Sequence, residues 1–237
     1  MVLHPSLPVG GVFDHVVDGH RGITGAYYSD AFREADGYVL ECLFDQPVDL
    51  ALAIPGIADE HWALMHAFRS LAGFGVMLVD TPSPDNRVVW DAQAERLSVQ
   101  YVLSAPDATR LRRGAKTAVR MMLAAGARRA FLTSDERPRG RPAAFTDSAD
   151  AERVDALTFA PHATLLASAH IQGSVKMGDD PRRSVVDARG EARRVRGLIV
   201  CDASVFPTSC GANPMLAIMA MARYQGLRIV AEQGRYS

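Results

Sequence analysis

Arg194–Pro214 reads RVRGLIVCDASVFPTSCGANP, and the apolar run Met215–Met221 follows at once. Leu198–Cys201 is short and wholly apolar, which predicts a buried strand. Asp202 then stands at its carboxyl end, where open α/β sheets place their ligands. Ala203 and Ser204 add small side chains and free amides for close approach to such a ligand. Asn213 suits a helix N-cap and Pro214 suits the first helical position. The helix they start carries Met215, Leu216, Ile218, Met219 and Met221 on nearly all faces, which predicts burial. A buried helix with its N-terminus in a cleft favours negative charge there, because its first amides lack helical partners.

Upstream of this stretch lie Ala169–Gly178 (AHIQGSVKMG) and Ser184–Asp187 (SVVD). Further back the pattern changes. Tyr38–Phe44 alternates, with Tyr38, Leu40, Cys42 and Phe44 on one face, and Leu97–Leu103 repeats the pattern with Leu97, Val99, Tyr101 and Leu103. Both predict half-buried antiparallel strands. Phe74–Asp80 (FGVMLVD) is a third, more evenly apolar strand. Asp59–Leu71 fits a helix, with Trp62, Met65 and Phe68 as pocket-lining candidates, although ordinary core is the simpler use. Asp107 is the expected N-cap of a helix running to about Ala125 and ended by Gly126, with Leu111, Ala115, Val119, Met122 and Leu123 as its apolar stripe. Residues 1 to 30 are glycine-rich and read as loop and short strand. Thr133–Ala144, punctuated by Pro138, Gly140 and Pro142, reads as a linker or mobile loop.

The 237 residues suffice for one large domain or two small ones. Apolar residues make up 48% and charged residues 22%, a globular composition. With 26 basic and 27 acidic residues the net charge is −1, which offers neither nucleic acid nor an anionic membrane a general attraction. Arg110, Arg112, Arg113, Lys116, Arg120, Arg128 and Arg129 do form a basic run, expected to be a solvated helix face. Three cysteines read as free thiols of a reducing compartment, with Cys201 as inert core. No signal peptide and no membrane span are expected, so the chain reads as cytoplasmic. No H-x-x-x-H, C-x-x-C or G-x-S-x-G is present, so neither a metal site nor a serine nucleophile is supported, and His4 has no partner pattern.

The spacing His170-Ile171-Gln172-Gly173-Ser174, Met177-Gly178, Val185–Asp187, Val195–Leu198, DASVFP at Asp202–Pro207 and GANP at Gly211–Pro214 resembles the C-terminal half of the glucose–methanol–choline (GMC) oxidoreductases. These are flavoproteins that oxidise alcohols. The GANP form is closest to the cholesterol oxidase and long-chain alcohol oxidase branches, where Asn takes the place of a second His. Weaker likeness extends upstream through Leu3-His4-Pro5, the Tyr38 strand, the strand ending at Tyr101, Asp107 and Ala124–Ala127.

The resemblance implies an α+β fold: an antiparallel or mixed sheet substrate-binding domain over residues 1–160, then a catalytic segment over 161–237. That segment supplies the last strand and helix of a Rossmann-like FAD-binding domain whose N-terminal part is missing. His170 would take or hydrogen-bond the substrate hydroxyl proton, with Asn213 as the second polar contact to the substrate oxygen. Asp202 and Ala203 would contact the ribityl–pyrophosphate part of FAD, and Pro214 and Met215 would face the pyrimidine edge of the flavin. The implied reaction is hydride transfer from a small-molecule alcohol, of sterol or long-chain type, to FAD. Taken singly, Asn213 is more simply a plain N-cap and His170 a structural histidine, and Asp202 could cap the turn after its strand; the joint spacing favours the site roles. The G-x-G-x-x-G cradle for the ADP end of FAD is absent, since only Gly73 and Gly75 approach it and Leu78 stands at the third position. Two readings follow. One is the catalytic part of a flavoenzyme whose FAD-binding part is a separate chain or was lost by truncation. The other is a non-catalytic remnant or accessory domain that binds a hydrophobic ligand or partner.

Overall fold

In the computed structural model, which describes residues 1–23, 25–44 and 46–235, the order of elements is β1 (Ser6–Val12), β2 (Tyr28–Ser29), α1 (Arg33–Asp36), β3 (Tyr38–Leu43), α2 (Pro47–Ala53), α3 (Asp59–His66), β4 (Leu71–Leu78), β5 (Arg87–Asp91), β6 (Arg96–Gln100), α4 (Ala105–Ala124), β7 (Arg129–Leu132), β8 (Ala144–Phe145) and α5 (Met215–Ala231). The chain divides into two units. Pro5–Leu78 and Ser104–Ala167 form one; Met1–His4, Val79–Leu103 and Ser168–Ser237 form the other. Met1–His4 and Val79–Leu103, which fall within the 1–160 span, therefore cluster with the C-terminal residues.

The first unit is built on the expected antiparallel sheet, in the order β2-β3-β4-β1-β7-β8. Strand β1, one of its two central strands, lies in the stretch that reads as loop and short strand, and is longer than that reading implies because Pro8, Gly10 and Gly11 have poor strand propensity. Packing explains those glycines. A Cβ on Gly10 would fall 2.3 Å from the Phe131 ring, and one on Gly11 would fall 2.9 Å from the Met122 sulfur. Helix α4 covers one face of the sheet with Leu111, Ala115, Ala118, Val119 and Met122. Val12, Leu71 and Phe131 meet Ile54 and Leu64 on the other face, with Leu50 and Met65 packed against them. Burial from both sides removes the alternation expected for β3: Tyr38, Val39 and Leu40 are all buried. Trp62, by contrast, is 64% exposed and lines no core.

The N-cap of α4 is Ser104, whose hydroxyl accepts the Asp107 N–H at 3.2 Å; Asp107 lies inside the first turn and pairs with Arg110 instead. Much of the basic run is paired with carboxylates: Arg113 with Asp36, Lys116 with Glu152 and Asp155, Arg120 with Glu152, and Arg128 with Asp14. Thr133–Ala144 is held in place and is not a linker. Glu136 accepts the amides of Thr158 and Ala160 and the hydroxyls of Thr158 and Thr164. The buried Arg153 guanidinium donates to the carbonyls of Pro142 and Ala144.

In the second unit, β5 and β6 form a two-stranded hairpin in which Val88 faces Val99 and Trp90 faces Leu97. Both sides of it are open, so the Leu97–Leu103 strand is exposed, with Leu97 at 69%, where half-burial is expected. The remainder of this unit carries the motifs of the C-terminal third.

Candidate active site

The motif segments are laced together by backbone hydrogen bonds. Gly173, Val175 and Met177 donate their N–H groups to the carbonyls of Ala203, Ser204 and Val205 at 3.1, 2.8 and 2.9 Å. Met177 also bridges Val186 in parallel fashion. Val186, Val205 and Phe206 form a small buried core, against which Val175, Met177, Ile218 and Met221 pack. Gly173 has φ +73, and a Cβ there would lie 3.0 Å from the Phe206 carbonyl oxygen, so the turn after His170 requires glycine.

Three expectations fail here. Leu198–Cys201 is no buried strand: Ile199 makes a single antiparallel bridge to Glu191, while Leu198 and Cys201 are exposed. A strand needs a ladder on at least one side, and none forms beside these residues among those described. Cys201 is accordingly not core. Helix α5 is not buried either. Its inner face, Ile218 and Met221, packs on the small core, whereas Met215, Leu216, Met219 and Leu227 are exposed, with Leu216 at 73%. An all-round apolar helix needs cover on every face, and one face here has no cover among the described residues. Finally, the N-cap of α5 is Pro214, one residue later than expected, so Asn213 stands just before the helix and is exposed.

The expected FAD contacts sit close to that helix start in sequence. Asp202 is exposed and its carboxylate accepts the Ser204 N–H at 2.8 Å, capping the 3-10 turn Ala203–Val205. Ala203 is half-buried, Pro214 is buried and Met215 is 66% exposed. Pro214 has no side-chain oxygen to cap the first amides of α5, and no acidic residue occupies its first turn. A positive helix end beside exposed apolar side chains is a fitting donor set for the electron-rich edge of a flat ring system such as a flavin. The ADP end is different: Gly73 and Gly75 lie within β4 and offer no phosphate turn.

His170 is half-buried, and its segment is joined to the Cys210–Asn213 loop by two buried side chains. Gln172 accepts the Cys210 N–H through Oε1 at 3.3 Å and donates from Nε2 to the His170 carbonyl at 3.1 Å. His4 accepts the Gly211 N–H through Nε2 at 3.2 Å, and its ring meets that of His170 at right angles. His4 is the residue that sequence spacing misses. Its only trace is Leu3-His4-Pro5 in the upstream resemblance, since no short-range pattern links positions so far apart. Among the described residues no cluster of three or more His, Cys, Asp or Glu side chains is arranged to hold a metal ion, and no helix is long and apolar enough to cross a membrane.

Residues 82–222 match the family described as GMC oxidoreductase. An uncharacterized GMC-type oxidoreductase of Mycobacterium tuberculosis is 31% identical over 223 residues, which is 94% of this chain and 34% of that protein. A long-chain-alcohol oxidase of Arabidopsis thaliana is 33% identical over 139 residues, 56% of this chain and 19% of the relative. The chain thus spans about a third or less of the length of these curated relatives. Among solved structures, a formate oxidase of Aspergillus oryzae RIB40, studied for its FAD modification, superposes with a TM-score of 0.62 at 13% identity, covering 100% of this chain and 47% of that one.

Proposed function

The chain belongs to the GMC oxidoreductase family, and on that premise we propose that it is the C-terminal, substrate-oxidising part of a flavin-dependent alcohol oxidoreductase. The observation that carries this reading is the joining of the His170 segment to the Asn213 loop by His4 and Gln172. Those contacts tie together the two segments that carry polar side chains of complementary chemistry, which is what supports the reading. FAD, when bound, would supply the two-electron acceptor for hydride from the carbinol carbon. His170 takes the hydroxyl proton as the C–O single bond becomes C=O, a task suited to a side chain whose ordinary pKa lies near neutrality. Asn213 donates a hydrogen bond to the same oxygen and supports the negative charge that develops on it.

Asp202 and Ala203 are assigned to the ribityl–pyrophosphate part of FAD, and Pro214 and Met215 at the start of α5 to the flavin edge. The ADP end is assigned to protein beyond these 237 residues, on a separate chain or on the same one, which accords with the share of the relatives that the chain spans. A long-chain or otherwise apolar alcohol is the proposed substrate class, supported by the similarity to plant long-chain-alcohol oxidases.

The test is reconstitution. The purified chain, alone and with a flavin-binding partner chain, is assayed for bound flavin and for carbonyl product from primary and secondary alcohols. Product formed only by the pair supports the proposal in full. Flavin held tightly by the chain alone overturns the assignment of the ADP end, and no product from any pair overturns the catalytic reading.

A further inference from the structure

His4 is 1% exposed and lies on a backbone with φ +50, a left-handed conformation that costs a non-glycine residue energy and must be imposed by its surroundings. A buried carboxylate imposes it. Asp80, 2% exposed, accepts the Leu3 N–H at 2.9 Å and the His4 N–H at 3.0 Å, and also the Tyr101 hydroxyl at 2.8 Å. The ring so placed does two things. Nε2 accepts the Gly211 N–H, and the ring lies 5.6 Å from that of His170 with the planes at 88°. An N–H donates only into an unprotonated nitrogen, so the ring is neutral and its proton is on Nδ1.

We infer that His4 is a positioning residue, fixing the ring plane of His170 on one side and the loop that presents Asn213 on the other. The inference rests on the functional reading above and adds a residue that touches neither substrate nor flavin in it. The two anchors divide the work. Gln172 ties backbone to backbone, whereas His4 engages the His170 ring itself. Protonation of His4 would remove the Gly211 acceptor, and burial beside His170 opposes that by pushing its pKa down to about 4.

Two variants separate the roles: His4→Phe keeps a ring and removes the acceptor, and His4→Gln keeps an acceptor and removes the ring. Nuclear magnetic resonance on the chain without flavin reads both contacts. Hydrogen exchange of the Gly211 amide should quicken roughly five- to tenfold in His4→Phe, as expected for one lost hydrogen bond, and stay slow in His4→Gln. The His170 ring resonances should move most in His4→Gln. In the flavin-loaded protein both variants should slow flavin reduction by alcohol roughly ten- to a hundredfold, the usual cost of a small misplacement, with KM little changed. Unchanged His170 resonances and Gly211 exchange in both variants overturn the inference, as does full turnover despite those changes. Should either variant fail to fold, the wild-type chain still decides: a through-bond 15N coupling between Gly211 N and His4 Nε2 is expected, and its absence overturns the inference. Wild-type protein that oxidises no alcohol while this coupling is present overturns the functional reading alone.

Discussion

The imidazoles of His4 and His170 meet edge to face, their centroids 5.6 Å apart and their planes at 88°, although they stand 166 positions apart (170 − 4) in the sequence. The contact lies inside one unit, because Met1–His4 clusters with Ser168–Ser237. Asp80 fixes the backbone on the His4 side, and Gln172 fixes the loop opposite. His170 is thereby presented by two segments and not by its own turn alone.

Replacing His170 by Ala should lower turnover of the flavin-loaded protein by roughly a hundredfold or more, the range for loss of a general acid–base group. The measurement is steady-state oxidation of a saturating alcohol against wild type. Near-normal turnover would remove His170 from the chemistry.

Acid should weaken the fold through His4. Its pKa falls from an ordinary 6.5 to about 4, by burial first and by the neighbouring His170 second. The unfolded chain takes up this proton below pH 6.5, the folded chain only near 4, so stability is lost as pH falls through that window, by up to about 3 kcal/mol. The charged and titratable groups that face it are the His170 ring and the Asp80 carboxylate at its backbone N–H. Urea unfolding followed by circular dichroism at pH 7 and pH 4 should show a smaller difference for His4→Phe than for wild type. Equal differences would contradict this origin.

How much of this could be read beforehand divides by mechanism. The β3 and β4 strands and α4 show themselves through local apolar patterns, and the C-terminal motifs through their spacing. Strand β1 shows itself only as a short strand within a glycine-rich stretch, because Gly10 and Gly11 serve close packing on Phe131 and Met122, partners that only the fold reveals. His4 is hidden for the same reason. The departures at Leu198–Cys201 and α5 share one physical cause: an apolar sequence predicts burial only where a partner covers it, and here much of that surface stays exposed.

Arg153→Met should destabilise the first unit by about 3 kcal/mol, since it strands buried acceptors. The guanidinium donates to Asp150 at 2.8 and 2.6 Å and to the Pro142 carbonyl at 2.9 Å, and it lies 4.7 Å from the centroid of the Phe145 ring. Arg153→Lys should recover only part of the loss, because an ammonium lacks the planar fork. Thermal unfolding of the three proteins checks the order wild type, Lys, Met.

Gly114→Ala sets two effects against each other. In an open helix interior the change gains about 1 kcal/mol of propensity. In α4, however, the new Cβ would lie 2.4 Å from Val76 Cγ1 and 3.1 Å from the Tyr38 ring, in a core that cannot retreat. Overpacking of this kind costs about 1–3 kcal/mol, so a net loss of stability is expected. A raised urea midpoint would show that β4 yields more readily than its burial implies.

The central claim, hydride transfer from an alcohol with His170 taking the hydroxyl proton, is tested most directly by anaerobic rapid mixing. Flavin-loaded protein is mixed with a long-chain primary alcohol and with the same alcohol deuterated at the carbinol carbon, and the visible absorbance of the oxidised flavin is followed. The account predicts bleaching that is slowed by deuteration and nearly abolished in His170→Ala. Flavin that stays oxidised with every alcohol offered, or that bleaches at the wild-type rate in His170→Ala, would contradict it.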